Sequence, residues 1–233
     1  MVRRIGIGLT LLGALLLVVG AYSGLVLAPP DSMMGDVYRI LYTHVPAAWM
    51  ALLAFTLNCF ASVFYLMRSS LKADAIAEAA AETGVIFATG LLVTGSIWAK
   101  PTWGTWWTWD PRLTSMAIVW LSYLGYLTLR RFVVDDPDKR ATWSATAGIL
   151  IGVGVPIVWY SVKWWNSIHQ VQSNPDAVDG PMAWVLRLNA FAFLFLWLGF
   201  LLVRYGIARH EQAQSLTAPP VMRQVQPGEA VAS

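Results

Sequence analysis

The sequence predicts an all-α integral membrane protein built as a bundle of six transmembrane helices. Of its 233 residues, 57% are hydrophobic and only 12% are charged, whereas soluble domains are about 45–50% apolar and about 25% charged. The apolar residues also gather into six runs that suit the roughly 20 residues a helix needs to cross the hydrocarbon core of a bilayer.

The six runs are separated by short polar segments. They lie at approximately residues 5–28, 46–67, 83–99, 113–130, 143–162 and 183–203.

The first run follows two arginines, as the hydrophobic core of a signal peptide does. It exceeds the about 7–15 residues of a signal-peptide core, so it is interpreted as a retained helix. The third run is the shortest. The preceding stretch ADAIAEAAAE, residues 73–82, is interpreted as a helical lead into it and a candidate docking surface for a partner.

Basic residues in the connecting segments predict the orientation. They are concentrated near the N terminus, between the second and third runs, between the fourth and fifth, and after the sixth. Cytoplasmic loops of membrane proteins carry an excess of Lys and Arg, so both termini are expected in the cytoplasm. Residues 1–207 then form the membrane domain. The small, polar and proline-containing residues 208–233 are expected to form a disordered cytoplasmic tail.

In this orientation the stretch WGTWWTWD lies outside, between the third and fourth helices, within a loop at about residues 100–115. Pro101 and Gly104 argue against a continuous helix and favour a loop or a short interfacial helix. An aromatic belt explains single tryptophans such as Trp98 or Trp143, because a belt needs only one or two anchors at each helix end. The density of this motif instead favours a platform for a flat aromatic ligand. Its tryptophans are Trp103, Trp106, Trp107 and Trp109.

Two histidines share this outer face, His44 in YTHVPAAW and His169 in VKWWNSIHQ. Either one alone is an ordinary polar residue at a wet boundary. Two imidazoles beside a tryptophan platform, with no other soft ligand nearby, suit a planar iron macrocycle such as haem, coordinated from both sides. The carboxylates of haem would need cations, and Arg112 or Lys100 is the expected partner. The cations on this face are Lys100, Arg112, Lys163 and Arg187. Ordinary snorkelling of a long side chain at a helix end is favoured for at least two of the four.

Asp110 closes the tryptophan motif and directly precedes Pro111 at the start of the fourth run. Aspartate is a preferred N-cap residue, and proline is favoured at the first helical position. The sequence therefore predicts that Asp110 caps the fourth helix and fixes the exit of the tryptophan loop against the bundle. This role is favoured over that of a proton donor.

The motif WGTWWTWDPRLTS, with LYTHVPAAW and KWWNSIHQ on either side, resembles the tryptophan-rich, haem-handling WWD-motif family of c-type cytochrome maturation (system I). The modest length, the six runs and the two histidine motifs resemble its CcmC branch. The resemblance covers the chain up to about residue 207.

The resemblance implies a function that spacing alone does not show. Members hold haem b as a transient cargo on the periplasmic side of the bacterial inner membrane, with His44 and His169 matching the axial ligands. They deliver it to the haem chaperone CcmE, within an ABC-type complex of CcmA, CcmB and the small membrane protein CcmD. The partner ATPase supplies ATP hydrolysis, so this chain is not expected to be an enzyme. The sequence accordingly has no GxxxxGK, HExxH or GxSxG motif.

A docking role is the alternative. Tryptophan is a favoured anchor of protein interfaces, so the tryptophan loop could bind a partner protein or lipid without any haem. Such a subunit would not need His44 or His169, and this separates the two hypotheses. A nucleic-acid partner is not expected, because the basic residues lie scattered at helix ends and do not form a stripe.

Overall fold

The computed structural model describes residues 1–134, 136–169 and 180–217, and within these ranges the structure is helical with no β-strand. Three short helical segments of π or 3-10 type, Ser23–Leu27, Asp36–Ile40 and Leu129–Val133, adjoin the longer α-helices. The α-helices are α1 (Val2–Tyr22), α2 (Leu41–Arg68), α3 (Leu71–Trp103), α4 (Pro111–Thr128), α5 (Pro137–Gly152), α6 (Gly154–Trp164) and α7 (Gly180–Thr217).

Five helical stretches in the described ranges are long and apolar enough to cross a membrane. They are Val2–Leu27, Asp36–Arg68, Leu71–Trp103, Pro137–Trp164 and Gly180–Ser215. These match the first, second, third, fifth and sixth predicted spans. The fourth predicted span corresponds to α4, which has 18 residues and begins with Pro111 and Arg112. Several hydroxyl side chains further lower its apolar character, so the sixth crossing stays a prediction.

Two helix starts differ from those that the sequence predicts. Helix α2 begins at Leu41 and contains both His44 and Pro46, although the proline suggests a start at residue 46. Helix α3 begins at Leu71 and includes the whole of the 73–82 segment. Its alanines are almost completely buried, because small side chains let α3 approach its neighbours closely. The proposal that this segment is a docking surface is therefore wrong.

The acidic residues of the same segment form a buried ion cluster. The guanidinium of Arg130 donates to both oxygens of Asp74, each at 2.7 Å, and to Glu78 at 3.0 Å. Arg204 of α7 donates to Glu78 at 2.8 Å and also pairs with Glu82. Partners far apart in sequence therefore join α3, the segment Leu129–Val133 after α4, and α7. Each pairs with a charge that would otherwise be buried without a counterion.

The last helix extends beyond the predicted boundary of the membrane domain. It continues to Thr217, so residues 208–217 are helical. Gln212 donates to Asp74 at 2.9 Å, which ties this extension to the ion cluster. The remainder of the predicted tail, residues 218–233, lies outside the described residues.

The fifth span is broken at Val153, and the break changes its neighbour. A Cβ added to Gly152, the last residue of α5, would lie 2.6 Å from Sγ of Cys59 on α2. One added to Gly154, the first residue of α6, would lie 2.5 Å from Cγ2 of Val119 on α4. The glycines thus permit close packing on either side of the break, α5 against α2 and then α6 against α4.

The ion cluster makes a testable contribution to stability. Replacing Arg130 by alanine leaves Asp74 buried without its cation and removes one of the cations that pair with Glu78, so we expect a loss of about 3–5 kcal/mol in the free energy of unfolding. Arg131 is a suitable control because its side chain is 45% exposed and pairs with Glu82 at the surface. Its replacement by alanine should cost less than about 1 kcal/mol. Denaturant unfolding of the purified protein measures both, and equal losses would contradict the assignment.

Candidate functional site

A cavity of about 350 Å³ lies among α2, α3, α4 and α6, within the volume range of small-molecule pockets. Its lining is largely apolar and aromatic. It brings together side chains from all three outer motifs that the sequence singles out. The polar and aromatic residues among its lining are His44, Trp49, Ser96, Trp98, Trp103, Trp107, Arg112, Trp159 and His169.

His44 reaches the cavity from the first turn of α2. Its Nδ1 lies 3.1 Å from Oγ1 of Thr94 on α3, and that hydroxyl donates its proton to the Gly90 carbonyl at 2.7 Å. The tautomer in which Nδ1 donates to this hydroxyl leaves the lone pair on Nε2. Gly95 makes room for the ring, because a Cβ there would lie 3.0 Å from its Cε1.

Asp110 positions the segment that carries His169. The carboxylate is buried, and its Oδ1 accepts from the backbone N–H of Arg112 at 2.9 Å, which confirms the predicted N-cap of α4. Its Oδ2 accepts from Oγ of Ser167 at 2.7 Å and from the N–H of Ile168 at 2.9 Å. Oγ of Ser167 in turn accepts from the N–H of His169 at 3.0 Å. One carboxylate thus joins the start of α4 to the histidine segment.

The imidazole of His169 packs against two indoles. Its ring centre is 6.3 Å from that of Trp98 and 6.0 Å from that of Trp103, edge to face in both cases. Its Nδ1 is buried and has no hydrogen-bond partner in the described part of the chain. Burial, with the nearby positive charge of Arg112 as a second cause, lowers the pKa of His169 to about 4, against an opposing effect of Asp110. The ring is therefore neutral at pH 7, the form that binds metals.

Arg112 brings a positive charge to the same cavity. Its Nη1 is buried and has no hydrogen-bond partner among the residues that the structure describes. The oxygens of the adjacent Asp110 accept from other groups. Buried polar atoms without partners are uncommon in proteins and call for an explanation. A bound carboxylate would supply one, since guanidinium groups pair strongly with carboxylates.

Comparison with known proteins assigns the chain to a family. The family model of heme exporter protein C, CcmC, matches residues 1–218. The chain belongs to the CcmC family. Heme exporter protein C of Bradyrhizobium diazoefficiens is 38% identical over 187 residues, which cover 78% of this chain and 70% of that protein.

Two further relatives extend this comparison. Heme exporter protein C of Escherichia coli K12 is 38% identical over 192 residues, covering 81% of this chain and 77% of that protein. A putative cytochrome c biosynthesis ccmC-like mitochondrial protein of Marchantia polymorpha is 41% identical over 153 residues, covering 65% of this chain and 64% of that protein. The CcmC match extends to residue 218, just past the end of α7 and beyond the limit of about residue 207 expected from the motifs.

Two tryptophans of the motif lie away from the cavity. Helix α3 continues through Pro101 and ends at Trp103, where Gly104 adopts a φ of 77°. The motif therefore does not form one helical face. Trp106 is 57% exposed and Trp109 is 82% exposed, and neither lines the cavity.

Lys100 also lies outside the cavity lining. Its Nζ donates to the carbonyl of Gly104 at 3.0 Å and so caps the C-terminus of α3. Of the two predicted cations, only Arg112 lines the cavity.

Trp98 is the main site residue that the sequence did not indicate. It was assigned to an aromatic belt, yet it is only 5% exposed and packs edge to face on Trp103 at 4.9 Å. Thr94 and Trp98 are four residues apart and so lie on one face of α3. The spacing alone could have identified Thr94 and Trp98 as site residues only if the sequence had also shown that this face of α3 contacts His44.

The role of Asp110 can be tested against a second N-cap. Asp136 caps α5 through its Oδ1 but is exposed and has no link to the histidine segment. Alanine at either position should cost about 1 kcal/mol for the lost cap. Only Asp110→Ala should also raise the hydrogen-exchange rates of Ile168 and His169. The N–H of Ile168 loses its acceptor, and Oγ of Ser167, the acceptor for the N–H of His169, loses the carboxylate that holds it. Unchanged exchange there in Asp110→Ala would rule out the positioning role.

Proposed function

We propose that this chain is a membrane haem-handling subunit of c-type cytochrome maturation, which holds haem b as a transient cargo and passes it on. One observation carries the proposal: His44 and His169, from segments far apart in sequence, line one cavity together with Arg112, whose Nη1 is buried. The names of its relatives, heme exporter protein C and a cytochrome c biosynthesis protein, agree with it.

The cavity residues suit the three chemical parts of haem. Nε2 of His44 and a ring nitrogen of His169 would be the axial ligands of the iron. The apolar macrocycle would contact indole rings of the cavity. The propionates would pair with Arg112, whose buried Nη1 lacks a partner among the described residues. Of the motif tryptophans, Trp103 and Trp107 would contact haem directly, while Trp106, Trp109, Asp110 and Lys100 would shape the surrounding loop.

The basic residues of the connecting segments support an arrangement in the membrane. We propose six crossings, with α4 as the fourth, both termini in the cytoplasm and the haem cavity facing the periplasm across the bacterial inner membrane. Helix α3 has 33 residues and is therefore about 50 Å long, enough to cross the bilayer. Its buried acidic cluster at one end would lie toward the cytoplasm, and Thr94 to Trp103 at the other end would line the outer cavity.

Membership of the CcmC family supports a set of partners. We propose that the chain works with the ABC-type subunits CcmA and CcmB and the small protein CcmD, and that it delivers haem to the chaperone CcmE. Its own side chains would bind and orient the cargo, and the energy of ATP hydrolysis would come from the partner ATPase. In this proposal the chain itself catalyses no reaction.

The docking alternative also has an observation in its favour. Trp106 and Trp109 are exposed beyond the cavity, as anchors of a protein or lipid contact would be. In that case the tryptophan loop would bind a partner without any haem, and neither histidine would matter.

Absorption spectroscopy separates the two functions. The wild-type protein should co-purify with haem and show a six-coordinate spectrum, and His44→Ala and His169→Ala should each lose haem or show an altered spectrum. His210→Ala is the matched control, because His210 contacts Gln214 near the end of α7, away from the cavity. If both cavity variants kept the wild-type spectrum and haem content, the docking function would be favoured.

Arg112 should affect haem binding and stability in opposite directions. Arg112→Gln should weaken haem binding about ten- to a hundred-fold, since a hydrogen bond to a charged group contributes about 1.5–3 kcal/mol. The same change should raise the melting temperature of the haem-free protein, because it removes a buried donor atom, Nη1, that has no hydrogen-bond partner in the described part of the chain. Lys100→Gln is the control and should change haem affinity little. Haem titration and thermal unfolding measure these effects, and equal affinities for the two variants would refute the pairing.

A further inference from the structure

A second, more open cavity runs along the outside of the bundle between α2 and α6. We call it the lateral groove. Its lining includes Leu53, Thr56, Val155, Pro156 and Tyr160. It shares Trp49, Leu52 and Trp159 with the lining of the candidate haem cavity. The two spaces are therefore neighbours separated by three side chains.

The break in the fifth span accounts for the groove. On the N-terminal side of the break, α5 packs along α2, with Gly152 against Cys59. On the C-terminal side, Gly154 packs against Val119, so α6 follows α4 and makes few contacts with α2. The change of neighbour leaves α2 and α6 apart beside the haem cavity.

The groove is built for an apolar occupant from the bilayer. Both of its walls belong to helical stretches that suit membrane crossing, Asp36–Arg68 and Pro137–Trp164. Its lining residues carry no formal charge. Trp49, Leu53 and Tyr160 are each about two-fifths exposed, which in a membrane means exposed to lipid. A flat apolar ring system dissolved in the bilayer would meet a continuous apolar surface from the lipid to the cavity.

A positive charge stands beside the groove. Lys163, in the last turn of α6, is exposed and holds its Nζ 5.7 Å from the ring centre of Tyr160, which lines the groove. Arg112 supplies a second cation inside the cavity. An amphiphile with an apolar ring and carboxylates would thus meet one cation at the start of its path and another at the end. Haem has this chemistry, whereas the acyl chain of a lipid whose headgroup pairs with Lys163 would bring no anion to Arg112.

We propose that the lateral groove is the passage through which haem moves from the outer leaflet of the bilayer into the cavity, between Trp49 and Trp159. The inference rests on the proposed function. It adds a route and a direction: haem arrives sideways from lipid, and Lys163 orients its carboxylates toward the membrane surface.

The test measures the rate of haem loading. Haem-free protein in phospholipid vesicles is mixed with donor vesicles that carry haem, and the growth of the haem–protein spectrum is followed with time. Leu53→Trp and Val155→Trp each narrow the groove without touching a ligand. Each should slow loading about ten-fold, equivalent to an added barrier of about 1.4 kcal/mol, with the final haem content and spectrum unchanged. Leu121→Trp, on an exposed part of α4, is the matched control and should load at the wild-type rate.

Lys163 provides a second test at a position where substitution does not disturb packing. Lys163→Gln should slow loading from vesicles, and Lys163→Arg should restore the wild-type rate. Wild-type rates in the groove-filling variants and in Lys163→Gln would overturn the proposal and indicate a groove occupied by lipid. Failure of the wild-type protein to take up haem at all would instead refute the proposed function itself. A melting temperature for each variant confirms that it is folded.

Discussion

A protein that spans a bilayer must satisfy its polar groups internally, because the hydrocarbon core offers no water. Helix α3 meets this demand very differently at its two ends. At one end, Asp74 and Glu78 are paired with Arg130, and the cluster is closed by α7. At the other end, the cavity contains buried donors and acceptors without protein partners in the described chain. The first end is therefore closed by ion pairs within the protein, whereas the second end lines the cavity that we propose holds haem.

The cavity owes its geometry to groups that do not touch the proposed cargo. Asp110 receives hydrogen bonds from the start of α4 and from the segment before His169, so a motif in one loop sets the position of a histidine in another. Thr94 positions His44 in a similar way, through a hydrogen bond between its hydroxyl and the imidazole. The site therefore depends on helix ends that are held in fixed positions relative to one another. The proposed ligands, His44 and His169, project from the segments so held.

The sequence allowed much of this arrangement to be predicted. The sidedness of the helices placed His44, His169 and Arg112 on one face, and the structure brings them to one cavity. Trp98 could not be found this way, since a lone tryptophan in an apolar helix has the same local pattern whether it faces lipid or a pocket. The ion cluster could not be predicted from the sequence either. Its partners, such as Asp74 and Arg130, are 56 residues apart, and hydrophobic periodicity carries no information about pairing over that distance.

In the proposed function, the contact between His44 and Thr94 bears on how long iron would stay bound. Histidines that hold metals often donate their second N–H to a carboxylate, which makes the imidazole a stronger electron donor. The neighbour of Nδ1 here is a neutral hydroxyl, so the ring would be a weaker donor and its bond to iron would break more readily. Such a ligand would suit a carrier, in which rapid exchange matters more than tight retention.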